Sequence, residues 1–224
     1  MPRGYTVQYI IQRALEDIGN PDLDAIAFEK LDQILYTVYV DYTWDFLLKN
    51  TTLSFNASTD TPTAGLPTDY QKHFLLKFLD TSQSPTQEKP IDFLSIAEFS
   101  RLEFPLRESQ QPQYYTVSPT TYSGSGQSAV LKIWPVFSAD ANSKSCKLYY
   151  YYLPPKLTTQ TEYPLFPDHG FLIEALKNAM REYLHHPNFD PLFIPRYLKN
   201  ARLNAQDTGG MFPAIAPLDP RRFK

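Results

Sequence analysis

The chain is short of glycine, cysteine and net charge, and each shortage removes a class of protein. It has eight glycines in 224 residues against 20 prolines. Proline fixes φ, so connections and arms in such a chain are expected to hold a shape rather than flex. The single cysteine, Cys146, excludes a disulfide framework and a cysteine-based zinc site. A formal net charge of −3 argues against a dedicated nucleic-acid binder, which would be clearly basic. No run approaches the roughly 18 apolar residues of a membrane-spanning helix. The opening segment MPRGYTVQYIIQRALEDIG puts its apolar residues on one helical face, so no signal peptide is expected. Apolar residues are abundant at 42%, aromatics at 15%, which is too apolar for a disordered chain. The length fits one domain with an insertion, or two small ones.

The two ends read as helix and the middle as strand. Between Tyr5 and Ile18 the apolar residues Val7, Ile10, Ile11, Ala14, Leu15 and Ile18 recur at spacings of three and four. Gly19-Asn20-Pro21 stops that helix. Asp22 or Asp24 is expected to cap a second, with a stripe of Ala27, Phe28, Leu31, Ile34, Leu35, Val38, Tyr39 and Tyr42. So short a connection predicts an antiparallel hairpin. From Trp44-Asp45-Phe46 the pattern changes to strand-like runs at 50–56, 73–79, 90–94, 113–117, 129–135 and 147–153. Links rich in Ser, Thr, Pro and Gly separate them, including 56–65 and 118–128. A short helix is expected from a capping box of Ser95 and Glu98. Helix returns after Pro167-Asp168 with the stripe Phe171, Leu172, Ala175, Leu176, Ala179, Met180, Tyr183 and Leu184. His185-His186-Pro187 ends it, and Asp190-Pro191 opens a fourth helix to about Asn204. The expected fold class is α+β. Residues 1–49 and 165–207 form a four-helix bundle, and 50–164 an inserted antiparallel β-sandwich or barrel. Residues 208–224 form an extended C-terminal arm, whose prolines at 213, 217 and 220 exclude a helix or a central strand. Charge agrees with pairing the ends: 1–49 holds eight acidic and four basic side chains, 165–224 six and eight.

No pattern for chemistry survives inspection. GxSxG, a P-loop, HExxH and GxGxxG are all missing from the sequence. His185 and His186 are adjacent and would point about 100° apart on a helix, which does not converge on one metal; they read as helix-end imidazoles. His73 reads as a strand residue and His169 as a first-turn surface residue. A glycosidase needs two carboxylates across a cleft. Glu16-Asp17 and Asp22/Asp24 read as helix-end groups, and Glu98, Glu103 and Glu108 have no evident partner. Cys146 opens a strand with no histidine beside it and reads as a small buried or edge side chain. Asn50-Thr51-Thr52 and Asn56-Ala57-Ser58 match a glycosylation pattern that carries no weight without a secretory signal. The aromatic run Tyr149 to Tyr152 puts two rings on each face of a strand. One pair is expected in the core and the other against a second layer or in an exposed patch. Stacking of bases is the weaker use, since only Lys147 and Lys156 flank the run.

The order of short motifs resembles a known family. Trp44-Asp45-Phe46 follows the hairpin, and Thr51-Thr52-Leu53 and Leu66-Pro67-Thr68-Asp69-Tyr70 come next. Then follow Pro112-Gln113-Tyr114-Tyr115, Ile133-Trp134-Pro135 and Tyr150-Tyr151-Tyr152-Leu153-Pro154-Pro155. A helix pair and an extended tail complete a series that resembles the head-to-tail adaptor proteins of tailed bacteriophages, especially short-tailed ones. The resemblance implies a structural virion protein at the head–tail junction, assembled in the host cytoplasm and not an enzyme. It implies a ring, commonly dodecameric, beneath the portal protein. The helices would stack around a channel that passes genomic DNA without reading it, and the β-domain would face the tail nozzle protein. The resemblance places the portal contact on the C-terminal arm. There Met211, Phe212, Pro213, Ile215, Pro217, Leu218 and Phe223 would anchor it, with Arg221 and Arg222 (and Lys224) as polar grip. Preset prolines reduce the entropy lost on docking, and near-zero charge suits a wall past which phosphate slides. No cofactor, metal or membrane contact is expected. Two other readings stand beside it: a glycan-binding β module using tyrosines such as Tyr114, Tyr115 and Tyr150, and a tail-associated cell-wall hydrolase using carboxylates.

Overall fold

The computed structural model describes residues 4–82, 84–102, 107–123 and 126–207. Along the chain run helices α1 (Val7–Ile18) and α2 (Asp24–Asp41), strands β1 (Leu48–Ser54), β2 (Tyr70–Asp80) and β3 (Gln87–Phe93), and helix α3 (Ile96–Phe99). Then come β4 (Glu108–Ser109), β5 (Tyr114–Ser123), β6 (Gly126–Trp134), β7 (Val136–Phe137), β8 (Ser145–Tyr152), α4 (His169–Tyr183) and α5 (Phe193–Asp207). The fold is α+β, in two compact units: residues up to Asp45 with those from Pro154 onward, and residues 46–153.

In the helical unit, α1 buries Val7, Ile10, Ile11, Ala14 and Leu15, the stripe its spacing predicts. Each large aliphatic side chain so removed from water contributes about 1.5–3 kcal/mol. Both ends of α1 are closed. The Val7 and Gln8 N–H groups donate to the carbonyls of Glu162 (2.9 Å) and Gln160 (2.8 Å), and the Tyr9 N–H to Thr6 Oγ1 (3.2 Å). At the other end Gly19 takes φ 75°, a left-handed conformation that suits glycine. The start of α2 differs from expectation. A 3₁₀ turn over Pro21–Leu23 precedes it, and no side chain caps it. The Asp24 carboxylate instead accepts from Gln160 Nε2 at 2.6 Å, a tertiary bond that sequence spacing does not reveal.

Helices α1, α2 and α4 pack on one another, and α5 makes its main contact with α4. Trp44 is buried after α2. Its indole N–H donates to the Val38 carbonyl at 2.8 Å, and its ring meets Phe166 edge-on at 5.1 Å. Asp168 caps α4 by accepting from the Phe171 N–H (2.9 Å) and also takes the Tyr197 hydroxyl (2.9 Å). The Tyr197 ring stacks on Phe171 at 3.7 Å. Lys177 of α4 ties to Asp17 of α1. The fourth helix starts at Phe193, two residues beyond the expected Pro191. Pro195 thus falls in its first turn, where a missing N–H breaks no helical bond. Asn178, 8% exposed, clamps the α4–α5 link from both sides. It donates to the Asp190 carbonyl at 2.8 Å and accepts from the Asp190 N–H at 2.9 Å.

The β unit is one six-stranded sheet, in order β1-β8-β2-β3-β5-β6, with a separate β4–β7 pair. This single sheet stands where an antiparallel sandwich or barrel was expected. Two pairings, β3–β5 and β4–β7, are parallel rather than antiparallel. A parallel pair needs a crossover of a dozen or more residues, and the stretch from Phe93 to Tyr114, which holds α3, supplies it. The Ser/Gly stretch 118–128, expected as a link, belongs mostly to a β5–β6 hairpin with Ser118↔Val130 and Ser123↔Gly126 paired. Its Thr and Tyr residues favour strand, and only the tip needs turn chemistry. Leu76, Phe78, Cys146 and Leu148 form the inner face of β2 and β8, and Phe78 and Phe55 close on Phe137 of β7 at 5.9 and 5.7 Å. Cys146 is fully buried on a strand between two others, and burial pushes its thiol pKa up. That is the structural reading its sequence context gave.

The Asn178 clamp leads to a test. Asn178→Ala leaves the Asp190 N–H and C=O without partners and is expected to destabilise by about 1–3 kcal/mol in urea unfolding. The exposed control Asn188→Ala is expected to stay within about 0.5 kcal/mol.

Candidate functional site

Several of the motifs that carried the family resemblance meet in the β unit, while Trp44 packs in the helical unit. Asp69, from Leu66-Pro67-Thr68-Asp69-Tyr70, accepts from the Tyr150 hydroxyl at 2.9 Å and pairs with Lys49 at 3.0 Å. Its backbone carbonyl accepts from the Leu153 N–H at 3.0 Å. The Lys49 ammonium also sits 3.6 Å above the Tyr152 ring, and Tyr70 stacks on Tyr150. Burial opposes ionisation of Asp69, but Lys49 and Tyr150 outweigh it and hold the carboxyl below its ordinary value. Burial, with Asp69 beside it, pushes Tyr150 up to about 12. Likewise Tyr114 and Trp134 are paired across β5 and β6 with rings stacked at 6.2 Å. Asp69 with Tyr150, Tyr70 with Tyr150, and Tyr114 with Trp134 are thus packing partners between motifs.

This geometry does not favour the glycan reading, and Tyr114, half-buried, has its ring stacked on Trp134. Tyr115 and Tyr150 are buried, so they offer no platform to a sugar. On the outer face of β8, Tyr149 lies between Lys77 and Lys147, and its hydroxyl donates to Glu88 at 3.1 Å. Glu88 also holds Lys147 (2.8 Å) and Lys77 (2.9 Å), and these bonds, Lys147 first, lower its pKa to about 2. Most of the carboxylates weighed for hydrolysis have structural partners. Glu16 pairs with Arg13, Asp17 with Lys177, Glu98 completes the Ser95 capping box, and Glu108 accepts from Ser58. Glu103 lies outside the described residues. His185 and His186 are exposed past the end of α4, and the His186 ring nitrogen accepts from the Asn188 N–H. Among the described residues no three His, Cys, Asp or Glu side chains gather as they would around a metal ion, and no helix is long and apolar enough to cross a membrane.

What the described surface offers is aromatic. In the helical unit Tyr5 and Tyr9 are exposed with rings 4.4 Å apart, and Tyr163 is 63% exposed. The Tyr5 N–H donates to His169 Nδ1 at 2.8 Å, and burial lowers the His169 pKa, favouring the unprotonated acceptor. Tyr36 and Val40 stand exposed one turn apart on α2. In the β unit Phe74, Phe93 and Ile96 are exposed, Phe93 stacking on His73 at 4.2 Å. Sequence alternation places Phe74 in phase with the buried Leu76 and Phe78. A register shift between His73 and Leu75 turns it to the outer face against Tyr151, a bulge that alternation alone does not reveal. The arm residues singled out from sequence, Met211, Phe212, Pro213, Ile215, Pro217, Leu218, Arg221, Arg222 and Phe223, lie outside the described residues.

Two substitutions test this network. Asp69→Ala strands a buried tyrosine hydroxyl and is expected to destabilise by about 1–3 kcal/mol, whereas Asp69→Asn keeps an acceptor and loses less. For Glu88 the pKa is depressed on folding, so its contribution is full above the ordinary value of 4.5 and is lost as pH falls from there toward about 2. Urea midpoints are expected to fall across that window more steeply for the native chain than for Glu88→Gln.

A family model described as SU10 adaptor protein matches residues 5–212, nearly the whole chain. No curated protein matches it significantly. The match spans both units and every motif quoted above, and so the chain belongs to the SU10 adaptor protein family and is a bacteriophage head-to-tail adaptor.

Proposed function

We propose that this adaptor assembles as a ring, dodecameric by the family resemblance, which joins the portal protein to the tail nozzle and continues the DNA channel of the virion. The observation that carries this reading is the family match over residues 5–212. The helical unit lines the channel and the β unit faces the nozzle. Each unit has exposed aromatic side chains in the described residues, Tyr5, Tyr9 and Tyr163 in one and Phe74 and Phe93 in the other. Aromatics of this kind are enriched at protein interfaces because they bring large contact area with few rotatable bonds. DNA passes without being read, in keeping with a net charge of −3. The protein acts by contact, not catalysis, and is assembled into the particle in the host cytoplasm.

In this reading residues 208–224 form an arm that meets the portal. Met211, Phe212, Pro213, Ile215, Pro217, Leu218 and Phe223 supply its apolar contact, and Arg221 and Arg222 its polar grip. A chain ending at Asp207 is expected to keep the helical and β content of the full chain by circular dichroism. Phage carrying it are expected to yield filled heads without tails in electron micrographs. Normal joining of heads to tails by the shortened chain would overturn the arm assignment.

A further inference from the structure

The sheet of the β unit ends in β1 on one side and β6 on the other, and each end keeps an open edge. Which backbone groups face outward follows from the bonds at hand. The Phe55 N–H donates to the Lys144 carbonyl, one step beyond the pair Ser54↔Ser145, so the odd residues of β1 face β8. The Ser54 carbonyl instead accepts from the Thr63 N–H, so the even residues face away. Asn50 and Thr52 are in that outward phase and exposed, and their N–H and C=O groups have no backbone partner among the described residues. In β6 the Ile133 N–H donates away from β5, to the Asp60 carbonyl, so there the odd residues face outward. Ala129 is in that phase, opposite Pro119, which has no N–H to give across the pair. Leu131 is wholly buried, so the open part of this edge is the stretch 126–130.

That stretch has little support within its own chain. Strand β3 pairs with β5 only at Tyr114 and Tyr115. Over Val117–Ser123, roughly 23 Å at about 3.3 Å per residue, β5 is paired with β6 alone among the described strands. A two-stranded ribbon is marginal by itself in water. Edges that stay single are ordinarily guarded by charge or proline. Residues 116–131 contain no charged side chain. The Leu94 N–H donates to the Tyr115 carbonyl, so the odd residues of β5 face away from β6, and Pro119 guards that outer edge. Nothing of the kind stands on β6 at 126–130. Strand β1 has no proline, and its one charge, Lys49, is paired with Asp69 at 3.0 Å.

Pairing like edges, β1 with β1 or β6 with β6, closes on two chains and stops. Pairing β1 with β6 leaves each copy one edge of either kind for its next neighbour, which is how a ring propagates and closes. We infer that in the ring the β6 edge of one copy, residues 126–130, adds as an antiparallel strand to the β1 edge of the next, Leu48–Thr52. This contact rests on the ring reading and names the surfaces that make it. So short a ladder is weak alone, and copies held side by side on one portal strengthen it by effective concentration.

The test is made in phage particles, with the buried Cys146 left in place. Adaptor carrying Asn50→Cys plus Ala129→Cys, or Thr52→Cys plus Ala129→Cys, is expected to link chain to chain on mild oxidation. At least one of the two should give a ladder of multiples on a denaturing gel, since opposed residues in such a pairing have Cα atoms about 5.5 Å apart, within disulfide reach. Asn50→Cys or Thr52→Cys alone should give no linked product. Dimers from either single variant would show β1 meeting β1 and overturn the proposal. No ladder from either pair, in particles whose adaptor rings stand intact in electron micrographs, would overturn it and leave the ring reading in place. Particles whose adaptor forms no ring would end both. Proline supplies an independent check. Thr52→Pro removes an outward N–H and is expected to keep the native urea midpoint, whereas Thr51→Pro removes a bond to β8 and is expected to lower it. Phage with Thr52→Pro or Ala129→Pro should yield joined particles about tenfold less often, and native yields from both would overturn the proposal.

Discussion

The helical unit depends on how the first turn of α1 is closed. A helix start leaves backbone N–H groups with no intrahelical partner, and here two of them are answered by carbonyls more than 150 residues away, in the segment 160–162. That segment has no helix or strand of its own. It is shaped by Glu162, whose carboxylate gathers the Thr158 and Thr159 N–H groups and hydroxyls. It is anchored to α2 where Asp32 accepts from the Leu157 N–H at 2.9 Å and Asp24 from Gln160. Each irregular backbone group so satisfied is one that need not stay in water. The first and last thirds of the chain are held together by this segment as much as by the apolar stripes.

Such closure must be made across the whole of residues 46–153. For a flexible loop of that length the entropy of bringing the ends together opposes closure by on the order of 4 kcal/mol. The β unit removes much of this. Strands β1 and β8 pair with Leu48 opposite Tyr151, so the chain enters and leaves the sheet on adjacent strands. Lys49 and Asp69 then lock that place, because one carboxylate holds an ammonium from β1 and a hydroxyl from β8. The Asp69 and Tyr150 motifs therefore do more than fill a core: they fix where the two connections to the helical unit emerge from the sheet.

Much of this was legible in sequence, and the failures have physical causes. The stripes of α1, α2 and α4 were readable because a helix buries every third or fourth residue whatever it packs against. Ser95 and Glu98 were readable because a capping box is local. Asp24 misled because a distant glutamine claims its carboxylate, and the outward turn of Phe74 was not legible because it comes from a bulge in the two-residue period. Parallel pairing of β3 with β5 is set by a crossover, on which the strand residues themselves are silent. Asn178 carried no signal at all. A polar residue on an apolar stripe reads as noise until the backbone it clamps is known. The family resemblance rested on motifs some of which touch one another, Asp69 with Tyr150 and Tyr114 with Trp134. The arm residues from Met211 to Phe223 were singled out by composition and resemblance, and they lie outside the described residues.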